Sequence, residues 1–300
     1  MDPKNQAIRS GHLKRKIRWP GFILITLTTL TTLVAMPFYV ASHGVSRAEW
    51  ALFFFYVFAT LFSITVGYHR LFAHNAFKAN PVVRFFVLFF GAAAFEQSAF
   101  KWASQHRTHH QHTDTELDPH NIRYGFWYSH VGWILFWKQP ANEENVKDLA
   151  KSRLVMHQHR HYPAWAVFSG LILPVLIGGL TGHWLGGLIF GVGVRLFLVL
   201  NSTFFINSFA HTFGTQNYDA HSSARDNWLG AMLTNGEGYH NYHHRFPNDY
   251  RNGVRWFDWD PSKWVIFVLE RTGLVWDVRR ATPAMIAEAR REVLKIKAAA

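Results

Sequence analysis

Four long apolar runs fix what this chain can become. They span residues 19–40, 50–68, 163–181 and 184–210, and the only charge inside them is Arg195. A segment in hydrocarbon must satisfy its backbone hydrogen bonds internally, and about 20 residues of helix cross a bilayer core of roughly 30 Å. Each run is therefore read as a membrane-spanning helix. The first is too long for the apolar part of a signal peptide and has no small-residue cleavage site after it. The links Ser42–Glu49 and Gly182–His183 are short, so the spans pair into two hairpins. As a helix the fourth run would reach about 40 Å, longer than the hydrocarbon. Its end should project from the membrane with Asn207 and His211, and the second run should present His69 and His74 at the same level. The stretch from Val82 to Phe100 is apolar but carries Arg84, Glu96 and Gln97. It is read as one interfacial or protein-buried helix.

The polar parts are 1–18, 69–162 and 211–300, the last ending in a basic helical tail from Met285 to Lys297. The N-terminal part holds Lys4, Arg9, Lys14, Arg15, Lys16 and Arg18, whereas the hairpin links hold a single basic residue, Arg47. The positive-inside rule then puts both termini and all the polar mass in the cytoplasm. The formal net charge of +12 is assigned to the anionic membrane leaflet rather than to nucleic acid. The fold expected is an all-α integral-membrane domain over residues 1–300, with four transmembrane helices in two hairpins under a cytoplasmic helical cap.

There are no cysteines and 19 histidines. The first fact excludes disulfides, thiolate catalysis, iron–sulfur clusters and cysteine zinc sites. The second acquires meaning from spacing. His69 and His74 form an HxxxxH; His106, His109 and His110 form an HxxHH; His240, His243 and His244 form another. On a helix, positions i, i+3 and i+4 share a face, so each HxxHH aims three imidazoles at one point. Positions i and i+5 lie about 140° apart on an ideal helix, so the HxxxxH pair converges only where its helix ends or bends. Eight imidazoles exceed what one ion needs, since zinc takes four ligands at a structural site and three at a catalytic one. Two metals with open positions suit them better. Carboxylate di-iron bundles need two ExxH motifs, and this chain has one, Glu237–His240. The cap should therefore hold a nitrogen-rich di-metal site. Asp118 and Glu237 are candidates to accept the second ring N–H of ligating histidines. His112, His120 and His130 are weaker candidates for that role. His157, His159 and His161 alternate and would splay on a helix, and His12, His43, His183 and His221 read as ordinary surface or interface residues. Arg195 is either functional or held by backbone carbonyls.

With these motifs in hand, the chain resembles the membrane fatty acid desaturases, in particular the stearoyl-CoA/Δ9-type branch, over roughly residues 50–280. The resemblance rests on Gly67–His74, His106–His110, Asp118–Asn121, Ser129–Trp133, Asn207–His211 and Asn235–His244, in this order. It implies two iron ions with nine histidine ligands: His69, His74, His106, His109, His110, His211, His240, His243 and His244. Asn207 matches a position that reaches one metal through water. It also implies an O2-dependent enzyme that inserts a cis double bond, at Δ9, into a saturated acyl chain carried as a thioester or in a lipid.

Such chemistry suits the residues. An unactivated methylene has no acidic proton and no leaving group, so a metal cofactor must do the oxidation while the protein positions the chain. Aromatic residues of 82–137 and 184–210 could line an acyl tunnel. The sequence has no HPGG segment of the cytochrome b5 type and no cysteine, so electrons are expected from a separate donor: cytochrome b5, ferredoxin or a flavoprotein system. Basic residues that contact the headgroup in animal acyl-CoA members are replaced here by Ser104 and Gln105, and Lys138 alone keeps its charge, as a candidate headgroup contact. The nearest rival is a fatty acyl or alkane hydroxylase with the same di-iron site. A metal transporter would need ligands near the bilayer midplane, and the histidines cluster outside the runs.

Overall fold

The computed structural model describes residues 17–136 and 142–299. Lys138 and the basic segment 1–16, with His12, lie outside the described residues. Among the described residues eleven of the helices organise the fold. Helix α1 (Trp19–His43) and helix α2 (Arg47–Ala73) are long and apolar enough to cross a membrane. Ser46 and Glu49 start α2 with a capping box: the Ser46 hydroxyl accepts from the Glu49 amide at 3.3 Å, and the Glu49 carboxylate accepts from the Ser46 amide at 2.7 Å.

Helix α3 (Pro81–Ala92) begins on Asn80, whose side chain accepts from the Val83 amide, with proline at the first position. Helix α4 (Ala99–His112) is capped by Ser98. A corrected expectation lies between them. The stretch 82–100 is two helices, not one, because Phe95 and Gln97 adopt left-handed φ values of 59° and 77°. The break turns Glu96 and Gln97 inward. Helix α5 (Arg153–Arg160) leads to the second membrane pair, α6 (Tyr162–Leu180) and α7 (Trp184–His211). The cap is completed by α8 (Trp228–Leu233), α9 (His240–Arg245), α10 (Pro261–Arg271) and α11 (Pro283–Ala299). Among the described residues a small sheet pairs β1 (Lys78–Ala79) with β2 (Val275–Trp276) antiparallel, Lys78 opposite Trp276.

The four long helices are unequal. In their most apolar windows α2 and α7 are 61% buried, α6 28% and α1 17%. The two helices that carry the cap-side histidines are therefore the inner pair, and α1 packs outside α7. That contact is close: a Cβ on Gly193 would sit 2.2 Å from the Thr31 methyl, the small-residue approach expected between helices in lipid. Arg195 is fully buried in α7 and donates to three carbonyls, Gly191 at 2.7 Å, Ala93 at 2.7 Å and Gly170 at 2.8 Å. It ties α7 to α6 and to the turn after α3, so its charge is held by backbone dipoles and has a structural explanation.

The end of α2 explains the HxxxxH motif. From Ser63 to Ala73 the helix widens to the π form, and the His74 amide donates to the His69 carbonyl at 3.1 Å. With i→i+5 bonding, positions five apart come onto one face. Arg107 of α4 then closes the terminus. It donates to the Ala73 carbonyl at 2.7 Å and the Phe72 carbonyl at 2.8 Å, while Asp148 holds it with two contacts of 2.7 and 2.8 Å. Carbonyls that a helix end leaves orphaned thus become the clamp that docks the first histidine motif on the second.

Candidate metal centre

The nine histidines expected as ligands come together in two groups. His69, His74, His106, His110 and His243 form one; His109, His211, His240 and His244 form the other. Within the first, Nε2 to Nε2 distances are 2.8 Å for His74–His106, 2.9 Å for His69–His243, and 3.1 Å for both His110–His106 and His243–His110. In the second, His240–His244 is 3.1 Å and His109–His244 is 3.3 Å. Two imidazoles bound at right angles to one ion at about 2.1 Å would have nitrogens roughly 3.0 Å apart. The spacing fits shared coordination.

The protonation chemistry points the same way. Burial, reinforced by the neighbouring imidazoles, pushes His74, His106, His110, His240, His243 and His244 well below the usual histidine pKa. These rings are neutral and aim lone pairs at one another. Four or five converging lone pairs repel unless a cation sits among them, and no charged side chain of the described residues joins either group. The Nε2 of His211 is buried with no hydrogen-bond partner, aimed into the second group. The donor set therefore fits two metal ions bound through imidazole alone.

Behind the rings stand acceptors that fix the tautomer. The Nδ1 of His69 lies 2.8 Å from the Glu237 carboxylate, and the Nδ1 of His109 lies 2.8 Å from Asp118. With Nδ1–H donating outward, Nε2 is left free to ligate. The Nδ1 of His211 contacts the Ser223 hydroxyl at 2.7 Å. Glu237 also accepts from Arg70 at 3.0 Å and from the Asn252 amide at 2.6 Å, and Arg70 reaches Asp260 at 2.9 Å. The His240–His244 motif is pressed into place by backbone contact: a Cβ on Gly238 would lie 2.1 Å from the Ala231 nitrogen, which only glycine permits.

Asn207 does not join either group of nitrogens. It lines a narrow chamber with His69, Trp102, His106, His109, Thr203, Glu237 and His240. It also lines a neighbouring cavity of about 490 Å³, walled mainly by apolar residues of α1 and α7 with Phe95, Trp102 and Trp133. The expected aromatics are there. The contribution of α1, through Ile23, Leu24 and Leu27, carried no sequence signal, because an apolar residue facing a cavity reads like one facing lipid.

The other histidines stand outside these two groups, although His120 forms a third cluster with His109 and Asp118. The His120 ring is tilted 43° against His109, with ring centres 4.3 Å apart, and lies 3.6 Å from Asp118. His130 bonds Ser208 and Asn201 instead, and His112 ends α4 outside both groups. His159 bonds Ser98 while His157 and His161 pair with each other. His43 stacks on Tyr39, and His183 lies 3.9 Å from Glu49, at the opposite end of the spans. Sequence reasoning missed Arg70, Arg107, Asp114 and Ser223. Arg70 and Arg107 each follow a motif histidine directly, which was the one local signal available.

Comparison with known proteins is consistent with this geometry. A family model described as "Fatty acid desaturase" matches residues 48–264. Acyl-CoA desaturase 1 of Saccharomyces cerevisiae is 42% identical over 230 residues, covering 76% of this chain and 45% of the yeast protein. A probable acyl-CoA desaturase of Schizosaccharomyces pombe is 44% identical over 227 residues, covering 75% of this chain and 47% of that protein. Human stearoyl-CoA desaturase is 35% identical over 298 residues, covering 95% of this chain and 80% of the human one. The chain thus spans about half the length of the two yeast relatives.

Proposed function

Because the chain belongs to the fatty acid desaturase family, we propose that it converts a saturated fatty acyl chain to its cis-monounsaturated product, at Δ9, using O2 and two external electrons. The observation that carries this reading is the two imidazole groups facing a chamber continuous in its lining with an apolar cavity of about 490 Å³. The residues to hold two irons are His69, His74, His106, His110 and His243 on one side and His109, His211, His240 and His244 on the other, with Asn207 acting through water. When bound, the irons would supply the oxidising power that removes two hydrogens, leaving water as the other product.

The chain's own residues do the positioning. Leu24, Leu27, Leu200 and Phe204 would hold the methylenes and exclude water, and Trp102, stacked on His106 with centres 4.8 Å apart, would set the chain's distance from the metals. We assign the substrate to fatty acyl thioesters, as the relatives' names suggest for them; acyl groups in membrane lipid are the other carrier. Lys138 remains a proposed headgroup contact. Electrons would come from a separate donor (cytochrome b5, ferredoxin or a flavoprotein system), whose acidic surface would suit the basic cap. The cap and both termini are assigned to the cytoplasm by the positive-inside pattern. Expression in a host with a compatible donor, read by gas chromatography–mass spectrometry, should yield a new monounsaturated acid. A hydroxy acid instead would move the assignment to a hydroxylase.

One polar group in the acyl cavity gives a pH prediction. Burial raises the Glu96 carboxyl to about 7, against the donated bonds from Thr203 and Trp102. Below that pH it is neutral; above it a carboxylate faces the methylenes, which is costly in an apolar site. The KM for the acyl substrate is therefore expected to rise as pH passes through neutrality. In Glu96→Gln that rise should vanish, and a variant that keeps it would locate the titrating group elsewhere.

A further inference from the structure

His211 is the one member of the two groups that belongs to no box. It sits in the last turn of α7, and its ring is aimed from behind by the Ser223 hydroxyl at 2.7 Å. Ser223 is itself fixed by Asp114: its hydroxyl donates to one carboxylate oxygen at 2.6 Å and its amide to the other at 2.7 Å. Asp114 stands in a left-handed turn, with φ 64°, just after α4, and its amide donates to the Asp118 carboxylate at 3.1 Å.

We infer that Ser223 and Asp114 are positioning residues that set the tautomer of His211 and so its competence to bind the second metal. The argument is a proton count. A serine hydroxyl has one hydrogen. Since that hydrogen goes to Asp114, the oxygen can only accept from His211, whose Nδ1 must carry the ring proton. The Nε2 is then a bare lone pair facing His109, His240 and His244. Both carboxylates behind the four-histidine group, Asp118 for His109 and Asp114 for His211, come from the single turn 113–118. The five-histidine group has its carboxylate, Glu237, from a different segment. This inference rests on the proposal that each group holds a metal.

Asp114→Asn tests it with almost no change in shape. The Ser223 amide keeps its claim on the one side-chain oxygen of asparagine, so the new NH2 faces the serine hydroxyl and donates to it. The serine hydrogen must then turn toward His211, which favours the tautomer with its proton on Nε2, where no metal can bind. Loss of an outer partner of a ligating histidine weakens metal binding about 10–100-fold. Intact protein, Asp114→Asn, Ser223→Ala and Ser223→Thr would be loaded anaerobically with ferrous iron and read by iron per chain and Mössbauer spectrum. We expect two irons in the intact chain, and in Asp114→Asn and Ser223→Ala one tightly held iron with the second weakened about 10–100-fold. Ser223→Thr, which keeps the hydroxyl, should retain both. Should Asp114→Asn fail to elute as the intact protein does, Ser223→Ala against Ser223→Thr carries the test. Two irons of unchanged affinity and spectrum in Ser223→Ala would overturn the inference. Fewer than two irons in the intact chain would overturn the metal reading beneath it.

Discussion

Arg70→Leu is expected to destabilise the cap by roughly 3–5 kcal/mol, the cost of removing one partner from a buried ionic network. The Arg70 guanidinium is enclosed, 1% exposed, and meets Glu237 at 3.0 Å, Asp260 at 2.9 Å and the Tyr250 carbonyl at 2.8 Å. Both carboxylates are equally buried. Without the guanidinium both buried carboxylates lose their direct cationic partner, with the neighbouring Lys263 ammonium left to Asp260, and that loss exceeds the pair's own attraction. Neutralising them together, in Arg70→Leu/Glu237→Gln/Asp260→Asn, should recover much of the stability. It should not recover metal affinity, because glutamine at 237 replaces the carboxylate behind the His69 ring. Thermal unfolding in detergent separates the two effects. An Arg70→Leu protein that melts with the intact one would show that the network adds nothing to stability.

The second large effect is chemical. His109→Ala removes a nitrogen 3.3 Å from His244 and strands Asp118, whose oxygen lies 2.8 Å from the missing Nδ1. The four-histidine group is left with three members, and Asp118 keeps the Asp114 and His120 amides but loses its imidazole partner. If the two groups hold the metals of the proposed desaturase, one metal of two would be lost, and with it the unsaturated product. A His109→Ala chain that still makes unsaturated acid would remove His109 from the ligand set.

What was legible in the sequence followed the range of each interaction. The HxxHH boxes could be read because helical geometry converts their spacing into direction within one turn, and α4 and α9 are helices as that spacing requires. The apolar runs were legible for the same local reason. The HxxxxH pair looked awkward at 3.6 residues per turn and becomes simple once α2 widens before the cap. The partners that hold the boxes were hidden, because Arg70 meets residues 167 and 190 positions away and Ser223 meets Asp114 at 109. The break after α3 was hidden differently. Phe95 and Gln97 take left-handed φ without the glycine or proline that would announce a turn.

Iron loading tests directly whether the nine imidazoles hold two metal ions. Purified chain should be stripped of metal, loaded anaerobically with ferrous iron, and analysed for iron per polypeptide and by Mössbauer spectroscopy. Two irons per chain in nitrogen-rich surroundings are expected. A chain that folds, elutes as a single species and holds no iron would contradict that expectation.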